Sequence, residues 1–248
     1  MIMTIIENNA LFIQPSWPAP TGIKAYTTLR HSEIGYRQST ERTPGDIDRA
    51  RLKNLLQLPN DPIWLNQVHS ATAVEAIPAH DGLAADAVFT NQPNRVCAVL
   101  TADCLPVLVC NKQGTQIAAI HAGWRGLANG VIEATLQSLQ IPPDETLVWL
   151  GPAIGPTKFE IRKDVYDIFT QKDPQATKAL QAISDEQWLA NMYTLARLRL
   201  QKCRISHIYG GEYCTYSDHD SFFSYRRDGK IIGSIVSLIW IGDSDKKL

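Results

Sequence analysis

The sequence predicts an α+β fold in which a mixed β-sheet is flanked by helices, and three observations carry that prediction. Val96–Thr101, Val107–Cys110 and Ile117–His121 are short, apolar, β-rich runs, the last two joined by the turn signal Asn111-Lys-Gln-Gly114. After Gly123 the apolar residues Leu127, Val131, Ile132, Leu136 and Leu139 recur at three- and four-residue spacing, the period of one helix face. Strands come both as hairpins and separated by helices, so the sheet must mix strand directions rather than follow a strict parallel alternation.

Taken in chain order, His31–Gly45 is polar and without period and reads as a surface loop. The run from Val96 to His121 reads as strand, functional loop, hairpin and strand. The helix that opens after Gly123 ends at Pro142-Pro143, which cannot continue it. Thr146–Leu150 is a further strand, closed by Gly151-Pro-Ala-Ile-Gly-Pro156, and a helix is expected around Asp164 to Gln171. Ser184-Asp-Glu-Gln187 has the spacing of a capping box and predicts a helix running to about Lys202. Strands are expected again at Ile205–Tyr209, Phe222–Tyr225 and Ile231–Trp240, with Arg227-Asp-Gly-Lys230 as a hairpin turn.

A chain of 248 residues, 44% hydrophobic and 20% charged, buries a full core, and residues 1–248 are expected to form one domain with no linker or repeat. The balance of 24 Lys and Arg against 25 Asp and Glu offers no long-range field to hold a polyanion, so no nucleic-acid partner is expected. The N-terminal stretch lacks the basic region and cleavage site of a secretory signal. The longest apolar run, Ile231 to Ile241, is broken by Gly233, Ser234 and Ser237 and falls short of the roughly 20 residues of a membrane span. The expected compartment is the cytoplasm, with no membrane partner. Five cysteines, an odd number with no C-x-x-C pair, argue against a disulfide framework and against a zinc finger, and most are expected to be reduced and buried.

Chemistry concentrates in Asn66-Gln-Val-His69, Thr101-Ala-Asp-Cys-Leu-Pro106 and His121-Ala-Gly-Trp-Arg-Gly126, each placed where a strand is expected to run out into a Gly- or Pro-marked loop. His69, Cys104 and His121 supply the nitrogen and thiolate donors that zinc accepts, with a fourth position left for water. Their separations match no compact metal motif, and a buried cysteine beside two hydrogen-bonded histidines remains the alternative. Asp103, next to Cys104, either orients a histidine, acts as an acid or base, or caps the local turn. Gly123-Trp-Arg-Gly126 brings a helix start and the Arg125 guanidinium to an anion such as phosphate, or is a plain glycine turn with a solvated arginine. The pair Arg226 and Arg227 sits at an expected turn tip, and His219 reads as solvent-exposed.

Read together, these segments resemble the YfiH family, also known as the laccase-domain or polyphenol-oxidase family and described as multifunctional purine nucleoside phosphorylases. The residues that carry the resemblance are Trp64–His69, Ala85-Asp86, Cys97–Pro106, His121–Gly126, Trp149–Gly155 and Phe222–Asp228, and it extends from about Pro15 onward. It implies a YfiH-like fold, also described as cytotoxic-necrotizing-factor-like, with one zinc held by His69, Cys104 and His121. It also implies phosphorolysis of adenosine, inosine, guanosine and 5′-methylthioadenosine, together with adenosine deamination. The implied partners are therefore small-molecule nucleosides and phosphate. Asp103 joins the three ligands as an expected catalytic residue, and Arg30, Gln67 and Arg226 complete the substrate- and phosphate-binding set with Arg125. Two segments depart from the family: Thr27–Gly45, which keeps Arg30 but is shortened, and Ile231–Ser234, where Thr-Gly-Arg is usual. The zinc-deaminase signature H-x-E with P-C-x-x-C is absent, so any deamination here would be an independent solution.

Three other readings compete. Six histidines are too few for the blue and trinuclear centres of a multicopper oxidase, although copper can replace zinc at a single His/Cys/His site. A cysteine hydrolase would use Cys104 as nucleophile on an amide bond, with His69 or His121 as base. A zinc-stabilised binding protein would unfold on chelation and turn nothing over. Neither the preferred nucleoside nor the oligomeric state is legible in the sequence.

Overall fold

The computed structural model describes residues 10–35, 47–229 and 233–242. Ten of the β-strands build two sheets that lie against each other. The first has four antiparallel strands in the order β1 (Phe12–Ile13), β2 (Ile23–Thr28), β13 (Ile235–Ile241) and β5 (Val96–Thr101). The second has six, in the order β12 (His207–Gly210), β8 (Thr146–Leu150), β6 (Leu105–Asn111), β7 (Ile117–Ala122), β4 (Ala87–Thr90) and β3 (Ala73–Glu75). Its two outer pairs, β12 with β8 and β3 with β4, are parallel and its inner pairs antiparallel, so the sheet is mixed as expected. A small third sheet joins β10 (Leu180–Ser184), β11 (Gln187–Ala190) and β9 (Glu160–Arg162).

The alternation of side chains along each strand turns this arrangement into layers. Cys97 and Val99 of β5 and Ile239 and Ile241 of β13 meet Leu108 and Cys110 of β6 and Ile117 and Ala119 of β7 in a shared inter-sheet core. The opposite face of β6 and β7, with Val107, Val109, Ala118 and Ile120, packs against α3 (Val131–Leu139) and α5 (Met192–Lys202). The outer face of the four-stranded sheet, with Tyr26, Leu238 and Trp240, covers Leu52 and Leu56 of α1 (Arg49–Leu56). Each fully buried aliphatic side chain contributes about 1.5–3 kcal/mol, and both faces of both sheets are filled in this way. The strands therefore read as unbroken apolar runs, and for that reason Val96–His121 was legible.

Four expectations are corrected. Ser184-Asp-Glu-Gln187 does not cap a helix: it is the tight turn between β10 and β11, where the Ser184 hydroxyl accepts the N–H of Glu186 at 3.4 Å. Trp188 then stacks on Tyr166 of α4 (Lys163–Lys172) at 4.3 Å, and β11 pairs with β9, which together fix the segment as a strand. The helix α5 starts only at Met192, capped by Asn191. The single helix after Gly123 is two, α2 (Trp124–Asn129) and α3, divided by Gly130 at φ 93°. Phe222–Tyr225 is not a strand, and Arg227 and Asp228 of the expected hairpin turn are helical. Ser224 caps a helical turn, α6 (Tyr225–Asp228), and the Arg227 guanidinium fastens it to the carbonyls of Thr215, Tyr216 and Phe222. The last two strands are shifted to His207–Gly210 and Ile235–Ile241, while Lys230–Ile232 lies outside the described residues. Of the expected loop His31–Gly45, Arg30–Ser32 is a short 3-10 turn and residues 36–46 lie outside the described part. All five cysteines are free; Cys97 and Cys110 are buried, and Cys104, Cys203 and Cys214 only partly so.

Candidate metal centre

The chain changes sheets between β5 and β6, and Ala102-Asp103-Cys104 is the corner it turns. Asp103 takes the left-handed backbone there, at φ 84°. Cys104 thus leaves the corner immediately before β6, whose Leu105 and Pro106 pair with Ala122 and His121 of β7. His69 arrives from neither strand end but from a bend at φ 62°, a departure from the expected strand terminus. That bend is held by Gln67, whose amide donates to the Leu100 carbonyl and accepts the Leu100 N–H, both at 2.7 Å. With both amide ends bonded to β5, Gln67 clamps the ligand loop.

The three side chains converge. One donor atom from each of His69, Cys104 and His121 lies within 4.8 Å of the others, the one such His/Cys/Asp/Glu group among the described residues. Cys104 Sγ is 3.7 Å from His69 Nε2. A tetrahedral zinc with bonds of about 2.3 Å to sulfur and about 2.0–2.1 Å to nitrogen spans an S···N edge of about 3.5 Å, so the pair is already at ligand spacing. His121 is wholly buried, its Nδ1 sits 2.7 Å from Asp86 Oδ1, and its Nε2 has no hydrogen-bond partner. A buried imidazole nitrogen left bare costs free energy unless something else ligates it, and the donor set N, S, N suits zinc and also copper. These residues fit the ion.

Electrostatics agree with the geometry. Burial by itself pushes the Cys104 thiol up, but the His121 and His69 rings beside it more than reverse this and bring it down to about 6. Burial by itself lowers His121, and the Cys104 sulfur and the Asp86 carboxylate raise it to about 9. Without metal, between those two values, the pair is a thiolate beside an imidazolium whose Nε2 proton faces the ligand cluster, and a bound ion would take that proton's place. Iodoacetamide should therefore alkylate Cys104 of the metal-free protein with a midpoint near pH 6, the rate rising through that pH and levelling well below the ordinary thiol value of about 8.5. Mass analysis of the Cys104 peptide checks this, and a midpoint at about 8.5 would contradict the pairing.

Of the roles open to Asp103, orienting a histidine, serving as acid or base, or capping the turn, its contacts fit the first least, and the carboxylate that meets His121 is that of Asp86. Asp103 touches no histidine: its Oδ1 accepts from the Thr215 hydroxyl at 2.6 Å and its Oδ2 from the Arg226 N–H at 2.7 Å. It ties the Cys104 corner to α6 and, through its carbonyl, to the N–H of Ile154. Asp86 was legible only as part of the Ala85-Asp86 match, because a lone aspartate between apolar residues carries no periodic signal. Arg30 lies 3.6 Å from Asp228, donates to the His219 carbonyl and stacks over Phe223, in a cavity of about 630 Å³ with His31, Glu33 and Arg227. Arg226 is exposed and lies over Phe159, and Arg125 is exposed and stacks on Trp124 at 4.2 Å. The helix that Arg125 opens is only six residues long. His219 is exposed and pairs with Asp220.

Residues 28–242 match the family described as multi-copper polyphenol oxidoreductase laccase. A purine nucleoside phosphorylase of Haemophilus influenzae is 41% identical over 240 residues, covering 92% of this chain and 98% of the relative. Purine nucleoside phosphorylase YfiH of Escherichia coli is 41% identical with the same coverage. A Neisseria meningitidis protein of known crystal structure superposes with a TM-score of 0.87 at 40% identity, over 94% of this chain and all (100%) of that one. YlmD of Geobacillus stearothermophilus shares the fold at a TM-score of 0.86 and 23% identity, over 96% of this chain and 98% of that one. Among the described residues no helix is long and apolar enough to cross a membrane. By its fold and by the length of chain it shares with these proteins, the protein belongs to the YfiH family, the laccase-like family whose relatives bear the name purine nucleoside phosphorylase.

Proposed function

We propose that this chain is a zinc-dependent purine nucleoside phosphorylase of the cytoplasm, acting on adenosine, inosine, guanosine and 5′-methylthioadenosine, with adenosine deamination as a second activity. The observation that carries the reading is the bare, buried Nε2 of His121 facing His69 and Cys104 in a chain whose near relatives are named for phosphorolysis. His69, Cys104 and His121 would hold the ion. When bound, zinc supplies a Lewis acid that polarises an oxygen or lowers the pKa of water. In phosphorolysis a phosphate oxygen forms the bond to C1′ of the ribose as the C1′–N bond to the base breaks and the base takes up a proton. Arg125, beside the Gly123 turn, would orient that phosphate, and Arg30 and Arg226 would bound the nucleoside side. Asp103 would act through the Cys104 corner it braces.

The test is a nucleoside panel with and without phosphate, read by product mass on protein of known metal content. Ribose 1-phosphate and free base should form only with phosphate present, and hypoxanthine-containing product from adenosine should form without it. Arg125→Ala should raise the phosphate requirement about 10-fold or more, as expected for a lost charge-assisted contact, with little change in nucleoside binding. An unchanged phosphate dependence would move the anion site to Arg30 or Arg226. No phosphate-dependent product from any nucleoside would end the phosphorylase reading.

One observation favours a second reading. Asp86, His121 and Cys104 form a carboxylate–imidazole–thiol series with the thiol lowered to about 6, the arrangement of a cysteine nucleophile. Zinc near one per chain in protein purified without added metal argues against it. Metal-free protein trapped at Cys104 by an amide-like electrophile would favour it.

A further inference from the structure

We propose that Asp86 is the positioning residue of the centre: one buried carboxylate selects the His121 tautomer and holds the His69 loop, and so sets how tightly the three side chains take a divalent ion. This rests on the reading of His69, Cys104 and His121 as ligands and adds the residue that organises two of them.

Asp86 and His121 have side chains with no solvent exposure. Each carboxylate oxygen accepts a backbone N–H, a group that can only donate, and the other two partners, the Ser70 hydroxyl and the His121 ring, can donate as well. Oδ1 takes His121 Nδ1 at 2.7 Å and the His69 N–H at 3.0 Å, and Oδ2 takes the N–H and, at 2.7 Å, the hydroxyl of Ser70. Only an acceptor on both oxygens satisfies this set, which requires the ionised carboxylate. With an ion bound, the one proton on the His121 ring then belongs at Nδ1, and the Nε2 lone pair points at the ligand cluster, where no hydrogen bond competes for it. The same carboxylate bonds consecutive backbone N–H groups on a segment whose His69 is left-handed, a conformation that a non-glycine residue keeps only when its surroundings insist. The backbone of Asp86 is anchored as well: its carbonyl accepts the His121 N–H at 2.7 Å and its N–H donates to Thr72 at 3.0 Å.

Asp86→Asn keeps the size and removes the logic. If its amide NH2 faces His121, Nδ1 must accept and the proton moves to Nε2, where it blocks coordination. If the NH2 faces Ser70, it opposes the Ser70 N–H and the His69 bend is released. Zinc affinity, measured on the full chain by competition with a chromogenic chelator, should fall about 10- to 100-fold. In zinc-loaded wild-type protein, 15N-edited NMR should find a slowly exchanging proton on His121 Nδ1 and none on Nε2, a signature that a purely structural role would not produce. Ser70→Ala, which removes one of the four donors and keeps the carboxylate, should lose affinity by less than Asp86→Asn. Affinity of Asp86→Asn within about twofold of wild type, or a proton on Nε2 in the loaded wild type, overturns the inference. Should Asp86→Asn not fold, the NMR measurement on wild type decides alone. A wild-type chain that binds no zinc overturns the ligand reading together with this one, whereas zinc binding that is indifferent to Asp86 overturns only this one.

Discussion

Replacing Cys104 or His121 by alanine is expected to strip the centre of most of its zinc and to abolish nearly all phosphorolysis while the chain stays folded. Cys104 is the one anionic donor of the set, and without it two neutral imidazoles remain, a much poorer site for a divalent ion. Cys104 is only partly buried, whereas His121 is wholly buried and its truncation leaves a void beside Asp86. For His121→Ala the cost to folding includes what Asp86 loses. It gives up one of its four donors, and removing one partner of a buried charged pair costs about 3–5 kcal/mol against a total stability of roughly 5–15 kcal/mol. Metal content by emission spectroscopy, turnover by product mass and far-UV circular dichroism check the three parts. Full turnover by either variant refutes the role.

Gly123→Ala is expected to be nearly as damaging to the centre, for a different reason. Gly123 sits at the N-cap of α2 with φ −62° and ψ 158°, a conformation that alanine adopts without strain. Space is the obstacle: a Cβ there would fall 2.6 Å from His69 Cδ2 and 3.1 Å from Cys104 Sγ. The backbone is held between β7 and α2, so the His69 ring must give way, and with it one of the three donors. Zinc affinity should drop by at least about 10-fold with the thermal midpoint of the metal-free protein little changed, the loss being in the donor set rather than in the core. Chelator competition and a thermal melt measure both, and an affinity equal to that of the wild type would mean that the ring has room the structure does not show.

Legibility varied along the chain for physical reasons. Val96–His121 and Leu127–Leu139 were readable because strands buried on both faces give continuous apolar runs and a surface helix gives its own period. Ser184–Gln187 misled because a serine with a glutamine three residues on serves a tight turn as well as a helix start, and the choice was made by Trp188 stacking on Tyr166. Gly130 was passed over because one glycine inside a helical period is equally a tolerated residue and a C-cap. Phe222–Tyr225 read as a strand by composition, and the hydrogen bonds of Arg227 to three carbonyls, which no local pattern contains, made it a loop and a helical turn. In the site, the ligand types were visible and the clamp of Gln67 on Leu100 was not.

By itself the sequence determined which atoms can do chemistry: two imidazoles and a thiol, with Pro106 two residues after Cys104 and Gly123 two residues after His121, in a chain with no charge excess to favour a polyanion. The tertiary structure alone decided that they meet. The corner at Ala102–Cys104 passes the chain from one sheet to the other, β6 pairs with β7 in the register that sets Pro106 against His121, and Asp86 draws the distant His69 bend onto the same spot. Donor identity is a property of side chains, which a sequence states outright. Donor convergence is a property of strand register and of hydrogen bonds between residues far apart in the chain, and those exist only once the sheets have formed.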